Sequence, residues 1–212
     1  MTKNQFISMI ADASIKYYDK YKILPSLTIA QAIKESNWGR SKLGAVNNNF
    51  FGMKWREGCG CSYVEYMTKE YIKGKYITIL QRFRSYSTPE EGIEGYYNFL
   101  QYPRYSNLKG LTDSAKACIT IQKDGWATAP DYGISLYRDY VVKFNLLAYD
   151  YIVLPDPEYT RAGNILHTVS NGEFLWLLAE KYYNNGAVLG VIYKANNLDS
   201  VVITPGMKLL IP

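Results

Sequence analysis

The stretch PSLTIAQAIKESNWG, residues 25–39, decides how the chain is read. A helix begins after Pro25, with Ser26 at the N-cap, and Leu27, Ala30 and Lys34 carry it to about Trp38. Gly39 stands where a helix ends. The same signature recurs on both sides. Thr2 and Gln5 make a capping-box pattern ahead of Phe6, Met9, Ile10, Ala13 and Tyr17 at helical spacing. Thr88, Pro89 and Glu91 open another helix, whose inward stripe is Ile93, Tyr96, Tyr97 and Leu100. Two further helices fit Asp113–Lys123 and about Tyr132–Leu147.

The period changes in between. Tyr63–Ile72 and Lys75–Phe83 are rich in Tyr, Ile, Thr and Val and flank Lys73-Gly74, a β-hairpin signal. Val64, Tyr66, Thr68, Glu70 and Ile72 share one face of the first strand, and Glu70 is the only charge on it. The expectation is a helical body with one inserted β element, over residues 1–150. Leu-Pro-Asp-Pro-Glu and Arg-Ala-Gly-Asn break the periodicity, so residues 151–164 read as a linker that holds two modules apart and lets them reorient. Residues 165–212 give a strand (Ile165–Val169), a turn at Ser170-Asn171-Gly172, two short helices and a closing strand (Lys208–Ile211), a βααβ module.

Composition narrows the functional classes. At 48% hydrophobic and 20% charged residues the chain is an ordinary globular one. A net charge of +5, spread without a Lys/Arg block, suits an anionic polymer and argues against nucleic acid as a partner. The 21 tyrosines offer apolar rings with polar tips, which suit sugar rings. No stretch approaches the ~18 apolar residues of a membrane span, so stable membrane insertion is not expected. MTKNQFISMIADASIKYY, residues 1–18, has no continuous apolar run or cleavage site of an export signal. The expectation is synthesis in the cytoplasm, with any extracellular action reached by another exit route. Cys59 and Cys61 form a Cys-x-Cys pair without a second ligand pair or a nearby His, so no metal and no cofactor is expected; Cys118 belongs to a helical apolar face.

Two carboxylates can carry chemistry. Glu35 falls near the C-terminal end of its helix, facing the negative end of the helix dipole, with Trp38 placed to cover it. That setting favours a proton donor, as glycosidic bond cleavage requires. Glu70, on the hairpin, could flank a cleft opposite it. A surface Glu35 opposing Lys34 or Arg40, and a Glu70–Arg82 ion pair across the hairpin, are the structural alternatives.

The ordered set of motifs is specific. Glu-Ser-Asn-Trp-Gly-Arg-Ser at 35–41, Asn-Asn-Phe-Phe-Gly-Met-Lys at 48–54, Thr-Lys-Glu-Tyr at 68–71, Phe-Arg-Ser-Tyr at 83–86, Pro-Arg-Tyr at 103–105 and Trp-Ala-Thr-Ala-Pro-Asp-Tyr at 126–132 follow one another. Residues 4–147 resemble glycoside hydrolase family 73, the peptidoglycan β-N-acetylglucosaminidases. The resemblance implies an α+β fold: a lysozyme-like, mainly helical catalytic domain with a β-hairpin lobe. It implies Glu35 as general acid and Glu70 as the hairpin carboxylate, with Trp38, Phe51, Trp126 and Tyr132 toward substrate. Trp126 and Ala129 replace a Tyr and an Asp of the family's Tyr-Ala-Thr-Asp-Pro-x-Tyr pattern.

His167–Trp176, Ile192–Leu198 and Ile203–Pro212 are similar to the LysM module, which binds N-acetylglucosamine chains. The resemblance implies a groove lined by Gly172, Glu173, Phe174, Asn197, Asp199, Val201 and Ile203. Leu175, Trp176, Leu178 and Ala179 read as core. The implied function is cleavage of the β-1,4 bond between N-acetylglucosamine and N-acetylmuramic acid in peptidoglycan strands, by a phage lysin or a virion-associated lysin. The alternatives are a muramidase or lytic transglycosylase of the same fold. A phage tail or baseplate component, partnered by tail proteins and using LysM as an assembly joint, is a third.

Overall fold

The computed structural model describes residues 1–72, 75–154 and 165–212, with the side chains of residues 70–72 and 187 also outside the description. The chain divides into two compact units, residues 1–31 with 101–212, and residues 32–100.

The larger unit starts with helix α1 (Lys3–Tyr21). Its capping box is formed, with the Gln5 N–H donating to the Thr2 hydroxyl and the Thr2 N–H to the Gln5 side chain. Phe6 and Ile10 are fully buried, so residues 3–21 are a core helix. Helix α2 spans Pro25–Ser36, with the prolyl ring at its first position. Ser26 lies inside the helix rather than at the N-cap. Its free N–H donates to the Asp150 carboxylate (2.8 Å), so a remote side chain supplies the cap.

The smaller unit carries helix α3 (Lys42–Asn47), strands β1 (Ser62–Ile72) and β2 (Lys75–Ser85), and helix α4 (Pro89–Phe99). The sequence reading missed α3, which is only six residues long. The strands form an antiparallel hairpin in which Val64 opposes Phe83, Glu65 opposes Arg82 and Glu70 opposes Ile77. That register corrects the alternative reading of Glu70: Arg82 lies on the other face and pairs with Glu65 at 2.9 Å. Helix α4 begins as expected at the Thr88 cap, and Glu91 also reaches back to the Ser87 N–H. Its stripe of Ile93, Tyr96, Tyr97 and Leu100 is fully buried. Gly92 is demanded by close approach, since a Cβ there would sit 1.9 Å from the Asn48 carbonyl oxygen.

Returning to the larger unit, a 3-10 turn (Pro103–Leu108) precedes α5 (Ser114–Lys123), capped by Asp113. The expected long helix from Tyr132 is broken. Helix α6 (Tyr132–Leu136) runs into a π turn (Tyr137–Val142), Asn145 takes a left-handed φ of 51°, and α7 (Leu147–Val153) follows. Helix α7 extends three residues into the stretch 151–164 expected to be a linker, of which 155–164 lies outside the described residues.

Strands β3 (Ile165–Thr168) and β4 (Lys208–Ile211) pair antiparallel around α8 (Leu175–Tyr183) and α9 (Leu189–Ala195), giving the expected βααβ order. This module is not held apart. Gly190 of α9 lies against the Tyr151 backbone of α7, where a Cβ would approach the carbonyl oxygen to 2.8 Å. Lys194 donates to the Leu154 carbonyl, and Asp12 of α1 accepts from the Ser200 hydroxyl and the Val201 N–H. Among the described residues no helix is long and apolar enough to cross a membrane.

Candidate active site

Helix α2 ends in a device that explains the motif around Glu35. The Trp38 N–H closes on the Ile33 carbonyl (3.1 Å), the six-residue closure of a helix C-terminus. Asn37, Trp38 and Gly39 all take positive φ, at 51°, 64° and 71°. Asn and Gly tolerate that region; for a bulky residue it is strained, at roughly 1–3 kcal/mol. Ser36 pins the turn, its hydroxyl bonded to the Ala32 carbonyl and accepting from the Gly39 N–H (2.7 Å). Ser41 then caps α3 by accepting from the Gly44 N–H. The chain therefore stops one helix and starts the next within five residues, and it holds Glu35 on the last turn of α2. Helix α2 ends at Ser36, two residues earlier than expected, because Asn37 is already left-handed. Glu35 is exposed rather than covered, and Trp38 is half-buried.

A second motif fixes the hairpin in the smaller unit. Asn49 donates to the Met53 and Arg84 carbonyls (both 2.9 Å) and accepts from the Met53 N–H. Asn48, at φ 52°, donates to the Tyr86 carbonyl. Asn47 accepts from the Tyr66 hydroxyl (2.7 Å) and donates to Ser85. The Asn triplet thus bolts the end of α3 to the strands, and the Lys42 ammonium lies over the Tyr66 ring at 4.5 Å. Tyr66 stands on the face of β1 that includes position 70. Ser41, Lys42, Tyr66, Thr68, Leu80 and Phe83 contribute to an open cleft of about 680 Å³. The sequence reading passed over Asn47, Lys42 and Tyr66, although the alternation of β1 already put Tyr66 beside Glu70. The side chain of Glu70 lies outside the described residues.

Two expected substrate contacts are core residues instead. Phe51 is 3% exposed and stacks on Tyr96 with ring centroids 3.9 Å apart. In the larger unit, Tyr132 is 5% exposed and its hydroxyl accepts from Gln31 (3.2 Å). Trp126 is half-buried, edge-on to Tyr105. A Cβ on Gly133, the neighbour of Tyr132, would fall 2.5 Å from the Cys118 carbonyl oxygen, so glycine there lets α6 pack close against α5.

In the C-terminal module Gly172, Asn197 and Asp199 are exposed, and Phe174 is 40% exposed. Val201 and Ile203, expected to line a groove, are 6% and 8% exposed, and the Val201 N–H is occupied by Asp12. Glu173 is also committed, to His167 Nε2 and the Ser170 N–H (both 2.7 Å). The Ser170 N–H, with His167, holds its carboxyl below the usual range. His167 is a strand residue, as expected, bridging Glu173 and the Tyr182 hydroxyl. Leu175, Leu178 and Ala179 are core.

The chain is similar to known proteins. The family profile described as mannosyl-glycoprotein endo-beta-N-acetylglucosaminidase, Glucosaminidase, matches residues 11–142, and that of the LysM domain matches residues 167–212. The exo-glucosaminidase LytG of Bacillus subtilis is 36% identical over 152 residues, 68% of this chain and 52% of that protein. A probable N-acetylmuramidase of Lactococcus lactis is 32% identical over 97% of this chain and 50% of its own length. The chain thus spans about half the length of the curated relatives it matches. The catalytic domain of the autolysin Auto from Listeria monocytogenes superposes with a TM-score of 0.61 at 30% identity, covering 69% of this chain and 86% of that one. With the profile matched across helices, hairpin and Glu35 turn alike, the chain belongs to the glucosaminidase family, glycoside hydrolase family 73, and carries a LysM domain at its C-terminal end.

Proposed function

We propose that this chain hydrolyses the β-1,4 bond between N-acetylglucosamine and N-acetylmuramic acid in peptidoglycan, with Glu35 as general acid. The observation that carries this reading is the strained turn after α2, which presents an exposed carboxylate beside a half-buried indole. A carboxylic acid there protonates the leaving glycosidic oxygen as the bond breaks. Glu70 is assigned to the opposite side of the sugar. There it either activates the attacking water or assists attack by the substrate's own acetamido oxygen. The Tyr66–Asn47–Ser85 hydrogen bonds keep that strand in place. Trp38 and Trp126 are assigned to sugar stacking, and the C-terminal domain to retention on glycan strands through Gly172, Phe174, Asn197 and Asp199.

Digestion of purified peptidoglycan with the full chain, followed by mass spectrometry after borohydride reduction, tests the bond. Reducing-end N-acetylglucosamine supports the proposal, and anhydro products refute it in favour of a transglycosylase. Reducing-end N-acetylmuramic acid supports the second reading, a muramidase, which is favoured by the Lactococcus relative matched over 97% of the chain. Glu35→Gln should abolish turnover, at least 10³-fold, while leaving circular dichroism unchanged; near-normal turnover removes Glu35 from the mechanism. For biological setting we propose a phage lysin, freed through a membrane pore or carried on the particle among tail proteins. Immunodetection in purified virions against the soluble lysate separates the two, and absence from both refutes a phage role.

A further inference from the structure

None of these steps uses the loop that leads into β1. Within the smaller unit, Cys59, Cys61, Arg84, Tyr86, Glu91 and Glu94 contribute to a polar cleft of about 320 Å³. Both cysteines are free and half-buried, and Cys118 is buried in the other unit. Gly58 and Gly60, at φ 79° and 69°, fold the loop back, and the Trp55 indole N–H holds the Cys61 carbonyl at 2.9 Å. Cys59 Sγ lies 3.8 Å from that same carbonyl oxygen and donates to it.

Arg84 faces this pair. It is 6% exposed, its Nε has no hydrogen-bond partner among the described residues, and no carboxylate there forms an ion pair with it. A guanidinium buried without a counter-ion is costly. With neither bordering carboxylate, Glu91 or Glu94, ion-paired to Arg84, the anion that the cysteine loop can offer it is a thiolate. Burial opposes ionisation of Cys59, but hydrogen bonds from Cys61 and the Arg56 backbone, with the Arg84 charge, outweigh it and hold that thiol below its ordinary value. Burial and the adjoining sulfur push Cys61 the other way, to about 12. Glu91 and Glu94 border the cleft and oppose negative charge; Glu91 is engaged at the Ser87 N–H.

We propose that Cys59 and Cys61 are a reversible dithiol–disulfide pair, with Cys59 the attacking and Cys61 the resolving thiol, and Arg84 the counter-ion that activates the first. With a low-molecular-weight disulfide as oxidant, the Cys59 thiolate attacks one sulfur, the S–S bond breaks, and the expelled thiolate takes a proton. Cys61 then loses its proton to solvent and attacks Cys59 in the mixed disulfide, expelling the second small thiol. Two protein thiols are oxidised by two electrons as one external disulfide is reduced to two thiols. The bond forms one residue before β1 begins, so it braces the base of the hairpin.

The test equilibrates the full chain in mixtures of reduced and oxidised glutathione, quenches with acid, and maps alkylated peptides by mass spectrometry. The expected result is a Cys59–Cys61 disulfide, 2 Da lighter, with Cys118 reduced throughout. Cys61→Ser should instead accumulate glutathione on Cys59. Arg84→Met should slow alkylation of Cys59 at neutral pH by about threefold for each pKa unit gained, since a tenfold loss of thiolate is partly offset by its greater nucleophilicity. Arg84→Lys should restore most of the rate. A wild-type chain that stays dithiol in every mixture, or a folded Cys61→Ser chain that takes no glutathione at Cys59, overturns the proposal. Should Arg84→Met fail to fold, those two arms still decide it.

Discussion

Replacing Asp150 with Asn should change how stability depends on pH, with a sign and size set by its surroundings. Asp150 is 3% exposed, and its carboxylate accepts from the Ser26 N–H and the Ser114 hydroxyl. Ser26 donates in turn to the Ser114 oxygen (3.0 Å). Burial pushes the carboxyl from 3.8 up to about 6, against the lowering effect of these hydrogen bonds. The folded chain therefore binds this proton more tightly than the unfolded one. The group's contribution is fully present below pH 4 and is lost as pH rises through 6. A shift of about two units corresponds to roughly 3 kcal/mol. Asn keeps an acceptor for the Ser26 N–H and has no proton to lose. Urea unfolding of both chains at pH 4, 5, 6 and 7.5 gives the difference in stability. Wild type should lose roughly 2.5 kcal/mol relative to Asp150→Asn across that window, the rest having gone below pH 4. A difference flat to within about 0.5 kcal/mol, or one that grows in favour of wild type with pH, would refute the reasoning.

Two further substitutions probe packing. Gly92→Ala drives a methyl into the Asn48 carbonyl and should destabilise the chain by about 1–3 kcal/mol in a denaturant titration; a neutral result would mean that α4 and the loop can separate freely. Asp12→Ala leaves the Val201 N–H without its acceptor, at a cost of about 1–3 kcal/mol. Faster hydrogen exchange at Val201 and along α9, without change in α4, is the expected readout.

Much of the fold was legible because local signals and burial agree. The Thr2, Thr88 and Asp113 caps each open a helix with its apolar stripe inward, and the alternation of β1 gave the face and hence the hairpin. The failures share a cause: a distant partner overrides the local pattern. Ser26 has the chemistry of an N-cap, yet Asp150, 124 positions away, takes that role. Phe51 and Tyr132 have the chemistry of sugar contacts, but Tyr96 and Gln31 bury them. The flexible tether inferred from two prolines missed the backbone contact at Gly190 and the Asp12 cap on Val201, which only the folded α1 and α7 provide. Glu35 was legible as a residue, and its exposure was not, since three successive left-handed residues have no periodic signature.

That turn also bears on how the chain could be stabilised. At φ 64° a glycine or asparagine in place of Trp38 would relieve backbone strain on the order of 1 kcal/mol, and such a change lies a few nucleotides away. A chain drifting toward its most stable form would shed the indole. An indole at this energetically poor address makes position 38 one where the proposed sugar contact and stability pull in opposite directions. A screen for thermally hardened variants should therefore enrich glycine or asparagine there, and, if the proposed role of Trp38 holds, the same variants should bind glycan strands more weakly.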